Sequence, residues 1–355
     1  MTKVLMAGVD QSTKGGMWSV AENYLEDSQF RDAVKMRYIP TACAGGALKK
    51  AACFALGLAR VLAAMLVNRP DLVHLHVSER GSVKRKAVVS RLARLFRCKV
   101  LLHLHGAEFE SWYTSLNDRG QRRVRRFLNK ADGILILGEY WRGFISGLTE
   151  DKDKIRVLYN AVAVPAENPY RPEAENLLFL GEVGERKGVY DLLQAMQKIS
   201  GRLPEQTRLQ LYGPNPDGDI QERIRQLGLD ARVQYCGWAD GVKKEAAFAS
   251  AAVNLLPSYH EGLPMTILES MARGVPCITT EVAAIPEAVD SRCGVLVQPG
   301  DVQGLAEAID GLITDQAARQ SMSEWAYLRA QERFSLENHR NSLLRIYAEL
   351  TEKQK

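Results

Sequence analysis

The sequence predicts an α/β protein with two doubly wound domains, each built on a mostly parallel sheet. Its 355 residues are 46% hydrophobic and 25% charged, which is a globular composition and long enough for two hydrophobic cores. Short apolar runs alternate with helical segments twice along the chain, as in βαβ units. A polar stretch with three prolines, residues 162–176, separates the two series and marks a linker.

Each half of the chain supplies its own series of predicted strands. The first series is residues 3–9, 72–77, 99–106, 133–138 and 155–162. The second series is residues 177–183, 209–213, 233–237, 253–258, 275–280 and 294–300. The predicted domains are therefore 1–165 and 166–335, and the amphipathic segment 336–355 is expected to pack back on the first domain.

Composition restricts where the protein works. The six cysteines are scattered singly, with neither CxxC nor Cys/His ligand spacing, which argues against a disulfide framework or a zinc site and favours the cytoplasm. Residues 1–20 lack the pattern of a signal peptide. The longest apolar stretch, residues 51–67, contains Arg60 and is short for a bilayer span, so it predicts a buried helix.

The net charge of +5 is unevenly distributed. Residues 1–165 carry 27 Lys and Arg against 15 Asp and Glu, whereas residues 166–355 carry 20 against 27. A basic first half suits an anionic partner such as nucleic acid, a phospholipid surface or a phosphorylated acceptor. A basic surface that serves only solubility is the plain alternative.

The segment HEGLPMTILESMARGVPCITT follows a predicted strand directly and carries Glu261 and Glu269, eight positions apart. A carboxylate can accept two hydrogen bonds from a vicinal diol. A helix is expected to begin near Met265, and its first N–H groups could receive a diphosphate. The donors proposed for this contact are Leu263, Met265 and Thr266. In isolation, the same spacing would indicate only a first-turn acid and a solvated glutamate.

This segment resembles the E-x7-E region of the family 4 retaining glycosyltransferases, and the resemblance extends over nearly the whole chain. These enzymes have the GT-B fold, with two facing Rossmann-like domains and a site in the cleft between them. The resemblance implies that Glu261 contacts hydroxyls of the transferred sugar and that Glu269 holds the nucleotide ribose.

A second match is LLFLGEVGERKGVYDLLQA, in which Arg186 and Lys187 follow a predicted strand. Two cations at a strand end can neutralise the charge that builds on a departing nucleotide diphosphate. The segment is similar to the G-x-x-x-x-x-KG element of the same family, whose Arg and Lys bind the donor diphosphate. A solvated turn is the alternative.

The first predicted strand is followed by the glycine pair Gly15 and Gly16, where backbone can approach phosphate closely. In the related enzymes this pair lies against the donor phosphates. The spacing is not GxGxxG, which argues against a nicotinamide dehydrogenase.

The segment LLHLHGAEFESWY ends a predicted strand at His105. Its H-G pair resembles the family element whose His lies beside the donor sugar, so the resemblance makes His105 a catalytic candidate. His103 lies on the same strand face by alternation. Glu108, Trp112 and Tyr113 are expected to shape the acceptor pocket.

Residues 80–99 contain eight Lys or Arg and no acid, and the predicted helix 119–130 adds six more cations. A helical wheel of the first segment predicts that Leu95 faces the sheet and that Lys86 faces out. These cations are expected to hold the enzyme to anionic lipid. No recognition motif supports nucleic acid.

The stretch HVSERGSVKRK resembles bacterial exopolysaccharide and surface-polysaccharide transferases, including those of lipopolysaccharide synthesis, that act on polyprenyl-pyrophosphate-linked sugars at the cytoplasmic membrane face. The resemblance implies a peripheral membrane enzyme, and we expect its acceptor pyrophosphate to meet a basic cluster. The residues of this cluster are Arg80, Ser82, Arg85 and Lys86.

The resemblance therefore implies a retaining hexosyltransferase that uses a nucleotide diphosphate sugar, and neither a cofactor nor a metal is expected. Asp151-Lys-Asp153 and Asp217-Gly-Asp219 spell DxD, but neither follows an apolar strand directly. The catalytic candidates are His105, Glu261, Arg186 and Lys187. A transferase with a soluble acceptor and a sugar-nucleotide epimerase of the same fold are the alternatives, and a non-catalytic binding protein would be expected to have lost site residues.

Overall fold

The computed structural model describes residues 1–13 and 15–352. Its contacts divide the chain into two compact units. The first unit is Met1–Asn160 with Leu336–Lys355, and the second is Ala161–Ser335. The first change of unit, between Asn160 and Ala161, comes slightly before the boundary expected at residue 165 and before the three prolines. The C-terminal segment belongs to the first unit.

The first unit is built on a six-stranded parallel sheet of order β2-β1-β3-β4-β5-β6. The strands are β1 (Lys3–Gly8), β2 (Lys35–Pro40), β3 (Leu72–Val77), β4 (Lys99–Leu104), β5 (Gly133–Ile136) and β6 (Ile155–Val157). The helices are α1 (Gly16–Glu26), α2 (Ser28–Ala33), α3 (Ala47–Val67), α4 (Gly81–Leu95), α5 (Phe109–Thr114), α6 (Asp118–Asn129), α7 (Tyr140–Ser146) and, from the chain's end, α15 (Leu336–Thr351).

The second unit repeats the arrangement with a parallel sheet of order β12-β11-β10-β7-β8-β9. Its strands are β7 (Asn176–Leu180), β8 (Leu209–Tyr212), β9 (Val233–Gly237), β10 (Ala251–Leu256), β11 (Cys277–Thr280) and β12 (Gly294–Val297). Its helices are α8 (Val189–Ile199), α9 (Ile220–Gln226), α10 (Gly241–Ala249), α11 (Met265–Ala272), α12 (Ile285–Ala288), α13 (Val302–Thr314) and α14 (Gln316–Arg333).

The predicted fold class is confirmed, and every predicted strand is present. The sequence did not predict β2, which is KMRYIP. This strand lies at the edge of its sheet, and only Ile39 within it is buried. An edge strand is exposed along one side and does not need the continuous apolar run that identifies a central parallel strand.

The prediction of a buried helix over residues 51–67 is wrong. Helix α3 is long and apolar enough to cross a membrane by length and composition, yet only 22% of its most apolar 18-residue window is buried. Its inner side packs tightly, because a Cβ on Gly57 would lie 2.4 Å from the carbonyl oxygen of Pro40. Its outer side exposes leucines, including Leu48 and Leu66.

The predicted faces of α4 also need correction. Leu95 was expected to face the sheet but is 76% exposed, and Lys86 was expected to face out but is only 2% exposed. The buried stripe consists of Ser82, Val83, Lys86, Val89, Ser90 and Ala93. This stripe keeps the helical spacing of three and four residues, so helix position, not side-chain polarity, decides which residues are covered.

Three helices of the first unit share one side of its sheet. The crossovers through α3, α4 and α6 all move in the same direction across the strand order, whereas the crossover from β1 to β2 moves the opposite way. Because crossovers between parallel strands are right-handed, α3, α4 and α6 lie on one face and α1 lies on the other. Helix α15 is on the face of α1, since Tyr24 and His339 are hydrogen-bonded at 2.5 Å.

Candidate active site

Two loops of the second unit meet at the carboxyl edge of its sheet, because β7 and β10 are hydrogen-bonded neighbours. The loop after β7 contains a 3₁₀ turn, Glu185–Lys187, and ends at Gly188 with φ +68°. A Cβ at Gly188 would lie 2.0 Å from the carbonyl oxygen of Pro257, in the loop after β10. Glycine is therefore required on both counts, and it allows the two loops to touch.

This contact places Lys187 beside Glu261. The Lys187 ammonium forms a salt bridge with Oε1 of Glu261, and their side chains are 14% and 6% exposed. The hydroxyl of Ser258 donates a 2.7 Å hydrogen bond to the same oxygen. Since both contacts reach Oε1, Oε2 is the oxygen that can accept a hydroxyl of a ligand. The sequence predicted both charges but not their pairing.

Arg186 belongs to the same loop pair. Its guanidinium donates to the carbonyl oxygen of His260 at 3.3 Å, and its own carbonyl oxygen accepts from the N–H of Tyr259 at 3.0 Å. The carboxylate of Glu182 lies 3.8 Å away. Arg186 and Lys187 thus stand together at a strand end, where two cations can bind an anion such as a diphosphate.

Glu269 has a separate partner on a third element. Its carboxylate is nearly buried inside α11, and Oε1 lies 2.5 Å from the ammonium of Lys244 on α10. Lys244 was not predicted, because a lysine in the exposed segment KKE carries no signal of its own. Leu263 and Met265 are buried and Thr266 is half-buried at the entrance of α11, whose N-cap is Pro264 without a side-chain cap.

Replacing Glu269 with alanine is expected to weaken nucleotide diphosphate binding about ten-fold, since a hydrogen bond to a charged group contributes about 1.5–3 kcal/mol. Calorimetric titration with the nucleotide diphosphate would measure it. Glu222→Ala is a matched control, because this glutamate pairs with Arg225 on the surface of α9. Equal affinity in Glu269→Ala and the control would contradict the ribose role.

His105 lies just after β4, half-buried, and extends a row of buried histidines on β3 and β4. Its Nε2 is 2.9 Å from Nδ1 of His76, and its ring centroid is 4.1 Å from that of His103. His74 continues the row, with Nε2 3.2 Å from Nδ1 of His103. Burial, assisted by the charge of His339, lowers the pKa of His105 to about 3. The His105 ring is therefore neutral at pH 7 and can donate or accept a hydrogen bond.

The glycine pair opens α1. Gly15 is the N-cap residue, with φ +136°, and, its chain neighbours aside, no heavy atom of the described residues lies within 4 Å of the position where its Cβ would be. Gly16 is the first residue of the helix, and α1 has no side-chain cap. This arrangement leaves open space beside helix N–H groups, the kind of place where phosphate oxygens bind.

The predicted acceptor cluster is only partly assembled. The guanidinium of Arg80 lies 3.1 Å from the carboxylate of Glu108, and the hydroxyl of Ser82 accepts a 3.1 Å hydrogen bond from the N–H of Ser78. Arg85 is half-buried, and burial lowers its pKa. Its Nε has no partner among the residues that the structure describes.

Lys86 does not join this cluster. It turns inward, with its ammonium against the hydroxyl of Thr41 and 3.4 Å from the carbonyl oxygen of Gly8. Burial, and secondarily the charge of Arg85, lowers the pKa of Lys86 to about 7. The expectation that Lys86 faces out from α4 is therefore corrected, whereas its contact with the acceptor stays a prediction.

Arg80 has a strained backbone, with φ +57° and ψ −122° at the N-cap of α4. Such a conformation costs on the order of 1–3 kcal/mol for a residue other than glycine. We expect Arg80→Gly to raise the free energy of unfolding by about 1 kcal/mol while weakening acceptor use. Denaturant unfolding and the KM for the acceptor measure the two effects, with Arg69→Gly, at another positive φ, as the control for strain alone. A destabilised Arg80→Gly variant with unchanged KM would contradict both roles.

Two groups of side chains could hold a metal ion within the described parts of the chain, and both lie in the first unit. Within each group, the ligand atoms lie within 4.8 Å of one another. One group is His74, His76 and His103, and the other is Asp10, Cys43 and Cys53. The fold brings together two cysteines that are isolated in sequence. In the second unit, Asp219 of the second DxD segment pairs with Arg223.

Comparison with known proteins identifies the class. The model of the glycosyl transferase 4-like domain matches residues 19–161, and the model of glycosyl transferases group 1 matches residues 174–315. Together these matches cover most of both units. The chain belongs to the glycosyltransferases that combine these two domains.

Three similar proteins illustrate this relationship. An uncharacterized 41.2 kDa protein in the cps region of Klebsiella pneumoniae is 27% identical over 70% of this chain and 71% of its own. The lipopolysaccharide core biosynthesis glycosyltransferase LpsE of Rhizobium meliloti is 29% identical over 56% of this chain and 58% of its own. The structure of Anabaena HepE in complex with UDP-glucose has a TM-score of 0.78 at 17% identity and covers 98% of this chain and 100% of its own. At 17% identity, the similarity to HepE shows a shared fold.

Proposed function

We propose that this glycosyltransferase moves a sugar, with retention of configuration and without a metal ion, from a nucleotide diphosphate sugar to a polyprenyl-pyrophosphate-linked saccharide. The proposed place is the inner face of the cytoplasmic membrane, in the synthesis of a bacterial surface polysaccharide. The observation that carries the proposal is the buried contact of Lys187 with Glu261 beside Arg186. It joins a sugar-binding carboxylate to cations that can hold a departing diphosphate.

In the proposed mechanism, the bond between the sugar and the diphosphate breaks first, through an oxocarbenium-like transition state. Arg186 and Lys187 neutralise the charge that develops on the leaving diphosphate. Glu261 orients the sugar through its hydroxyls, and Glu269 holds the ribose. The acceptor hydroxyl attacks from the face that the diphosphate leaves and gives its proton to a phosphate oxygen, so no protein nucleophile takes part. His105, neutral at pH 7, supplies a hydrogen bond.

The choice of acceptor rests on the relatives and on the basic cluster. One relative is named for the cps region of its organism, and another is named for lipopolysaccharide core biosynthesis. Arg80 stands exposed at the carboxyl edge of the first sheet, paired with Glu108. A guanidinium binds phosphate oxygens in the same fork geometry as a carboxylate, so the acceptor pyrophosphate would replace Glu108 as the partner of Arg80.

The membrane proposal rests on helix α3. Its outer side exposes apolar residues along the whole helix, of which Leu48, Leu56 and Leu66 are more than half exposed. Residues 33–70 contain no Asp or Glu, and α3 carries Lys49, Lys50 and Arg60. An apolar side with flanking cations suits a helix that lies in the interface of an anionic bilayer. Helices α4 and α6, on the same face of the sheet, add cations worth about 1 kcal/mol each near such a surface.

The reaction can be tested with a panel of labelled sugar nucleotides. Slow hydrolysis of one donor, and transfer from it to a polyprenyl-pyrophosphate-linked saccharide, are expected. Proton NMR of the product should show the anomeric configuration of the donor, and turnover should persist in EDTA. An inverted anomer or a strict divalent requirement would overturn the retaining, metal-free mechanism. Transfer to water-soluble sugars alone would favour a soluble acceptor.

Membrane binding can be tested by sedimentation with anionic and neutral liposomes. We expect binding to anionic liposomes, weaker binding at high salt, and loss of binding when Leu48, Leu56 and Leu66 are changed to Gln. The matched control changes three exposed apolar residues of the second unit to Gln, namely Val242, Trp325 and Leu328. Equal binding of both variants would overturn the role of α3. Conversion of a wild-type dimer to a monomer by the α3 changes would assign this face to a second copy of the chain.

A further inference from the structure

An open groove runs between α4 and α6 on the outer side of the first unit. Its volume is about 680 Å³, within the range of sites that bind small molecules. We call it the α4–α6 groove. Its apolar lining is Val83, Ala87, Val88, Trp112, Leu116, Val124 and Phe127. Its charged lining is Arg80, Lys84, Arg91, Arg94, Arg123, Arg126 and Lys130.

No carboxylate lines this groove within the described ranges, although seven cations do. Arg80 is paired with Glu108, and Arg94 donates to the carbonyl oxygen of Lys130. The other cations form no salt bridge with a described acidic residue, and Arg91 and Arg123 are exposed on opposite walls. Cations that repel one another around an apolar floor favour a ligand that supplies negative charge and hydrocarbon together.

We propose that the α4–α6 groove binds the hydrocarbon chain of a lipid pyrophosphate, with the pyrophosphate at the end where Arg80 begins α4. This inference rests on the proposed function, because it assigns the groove to the lipid of the acceptor. Two observations favour it. The lining offers apolar surface from Trp112 and Phe127, with the indole N–H of Trp112 and the hydroxyl of Ser90 as its uncharged polar side-chain groups, which suits a chain without polar atoms. The groove also includes Arg80 of the acceptor cluster, so the chain and the pyrophosphate would be bound continuously.

The groove also distinguishes this ligand from the membrane surface. A bilayer presents a flat array of headgroups, which exposed cations can meet without any cavity. A concave floor lined by side chains of both helices instead surrounds one chain withdrawn from the bilayer. Inside the groove, the apolar residues Val124 and Phe127 of α6 are recessed, with little exposed surface. Leu95 of α4, which does not line the groove, is exposed on the surface.

Farnesyl pyrophosphate is a suitable soluble probe, and the fluorescence of the protein's tryptophans, with Trp112 in the floor, can report its binding. We expect farnesyl pyrophosphate to bind about ten-fold or more tightly than inorganic pyrophosphate, farnesol or dihexanoyl phosphatidylglycerol, because only the first offers both charge and a single chain. Ala87→Trp should fill the groove and remove the advantage over pyrophosphate. The control Leu328→Trp adds the same ring to an exposed position on α14.

A second variant, Arg80→Gln with Lys84→Gln, removes the cations at the end where the pyrophosphate is placed but keeps the floor. It should weaken the pyrophosphate probes while leaving farnesol unchanged. Because Ala87→Trp adds a tryptophan and so changes the fluorescence itself, calorimetry is used to compare the affinities of all variants. Unchanged affinity for farnesyl pyrophosphate in both variants would overturn the proposal, as would equally tight binding of phosphatidylglycerol. These measurements need no turnover. Tight, groove-dependent binding without sugar transfer to any lipid acceptor would therefore remove the proposed acceptor and keep the lipid site.

Discussion

Replacing Lys187 with alanine is expected to lower kcat about 10²–10³-fold, with a smaller change in the dissociation constant of the donor, because the charge that Lys187 stabilises is greatest in the transition state. Steady-state kinetics and calorimetry of the donor measure the two quantities. The double change of Arg186 and Lys187 to alanine should reduce kcat further. Turnover within a few-fold of wild type in the double variant would contradict the role of both cations in stabilising the leaving diphosphate.

Lys187→Ala is also expected to destabilise the second unit. Removal of Lys187 leaves the nearly buried carboxylate of Glu261 without its counter-charge, which commonly costs about 3–5 kcal/mol. Adding Glu261→Gln should recover most of that stability without recovering turnover, and this separates folding from catalysis. The control is Arg202→Ala, since Arg202 pairs with Asp310 at the surface and is expected to cost at most about 1 kcal/mol. Full turnover in the variant that combines Lys187→Ala with Glu261→Gln would show that the role of Lys187 is purely structural.

The sequence predicted the charges at strand ends better than it predicted their surroundings. Arg186, Lys187 and Glu261 lie in loops that follow apolar strands, and the order of elements alone brings such loops to one edge of a parallel sheet. Lys244 was missed because α10 meets α11 only through tertiary packing. A lysine becomes informative when its carboxylate partner is known, and that partner lies 25 residues away in the chain.

The faces of α3 and α4 were misjudged for a different reason. Apolar composition identified α3 as a helix but could not tell whether both of its sides would be covered. In α4, polarity favoured an outward Lys86, whereas the helical spacing of Ser82, Val89 and Ala93 places it inside. Lys86 can be buried because its long stem is apolar and its ammonium reaches oxygen atoms at the edge of the sheet. These are the hydroxyl oxygen of Thr41 and the carbonyl oxygen of Gly8.

The histidine row illustrates the limit of strand alternation. Alternation placed His103 and His105 on one face, and their ring centroids lie 4.1 Å apart. The pairing of β3 with β4, in which His76 is opposite His103, depends on a register that no local pattern gives. The helix α15 then closes the row, since the hydroxyl of Tyr347 lies 2.6 Å from Nδ1 of His74.

The row has a large consequence for acid stability. Burial lowers the pKa to about 3 for His74 and His105 and to about 4 for His339, and holds the pKa of His76 and His103 well below its usual value. An unfolded histidine has a pKa of about 6.5. Below that pH these histidines therefore bind protons in the unfolded chain but stay neutral in the folded unit. The free energy of unfolding must fall with pH from about 6.5 toward the folded pKa values, by up to about 1.4 kcal/mol per pH unit for each proton.

Several such protons together rival a typical domain stability of about 5–15 kcal/mol, so we expect the first unit to unfold cooperatively as the pH falls from about 6.5 to about 4.5. Hydrogen exchange read separately for the two units would show the first opening before the second. His103→Leu removes one of the protons and should make the pH dependence less steep. His260→Gln is the matched control, because His260 is exposed in the second unit and lies outside the row. A first unit that keeps its full protection at pH 4.5, or an identical slope in His103→Leu and wild type, would show that the histidine row does not control acid unfolding.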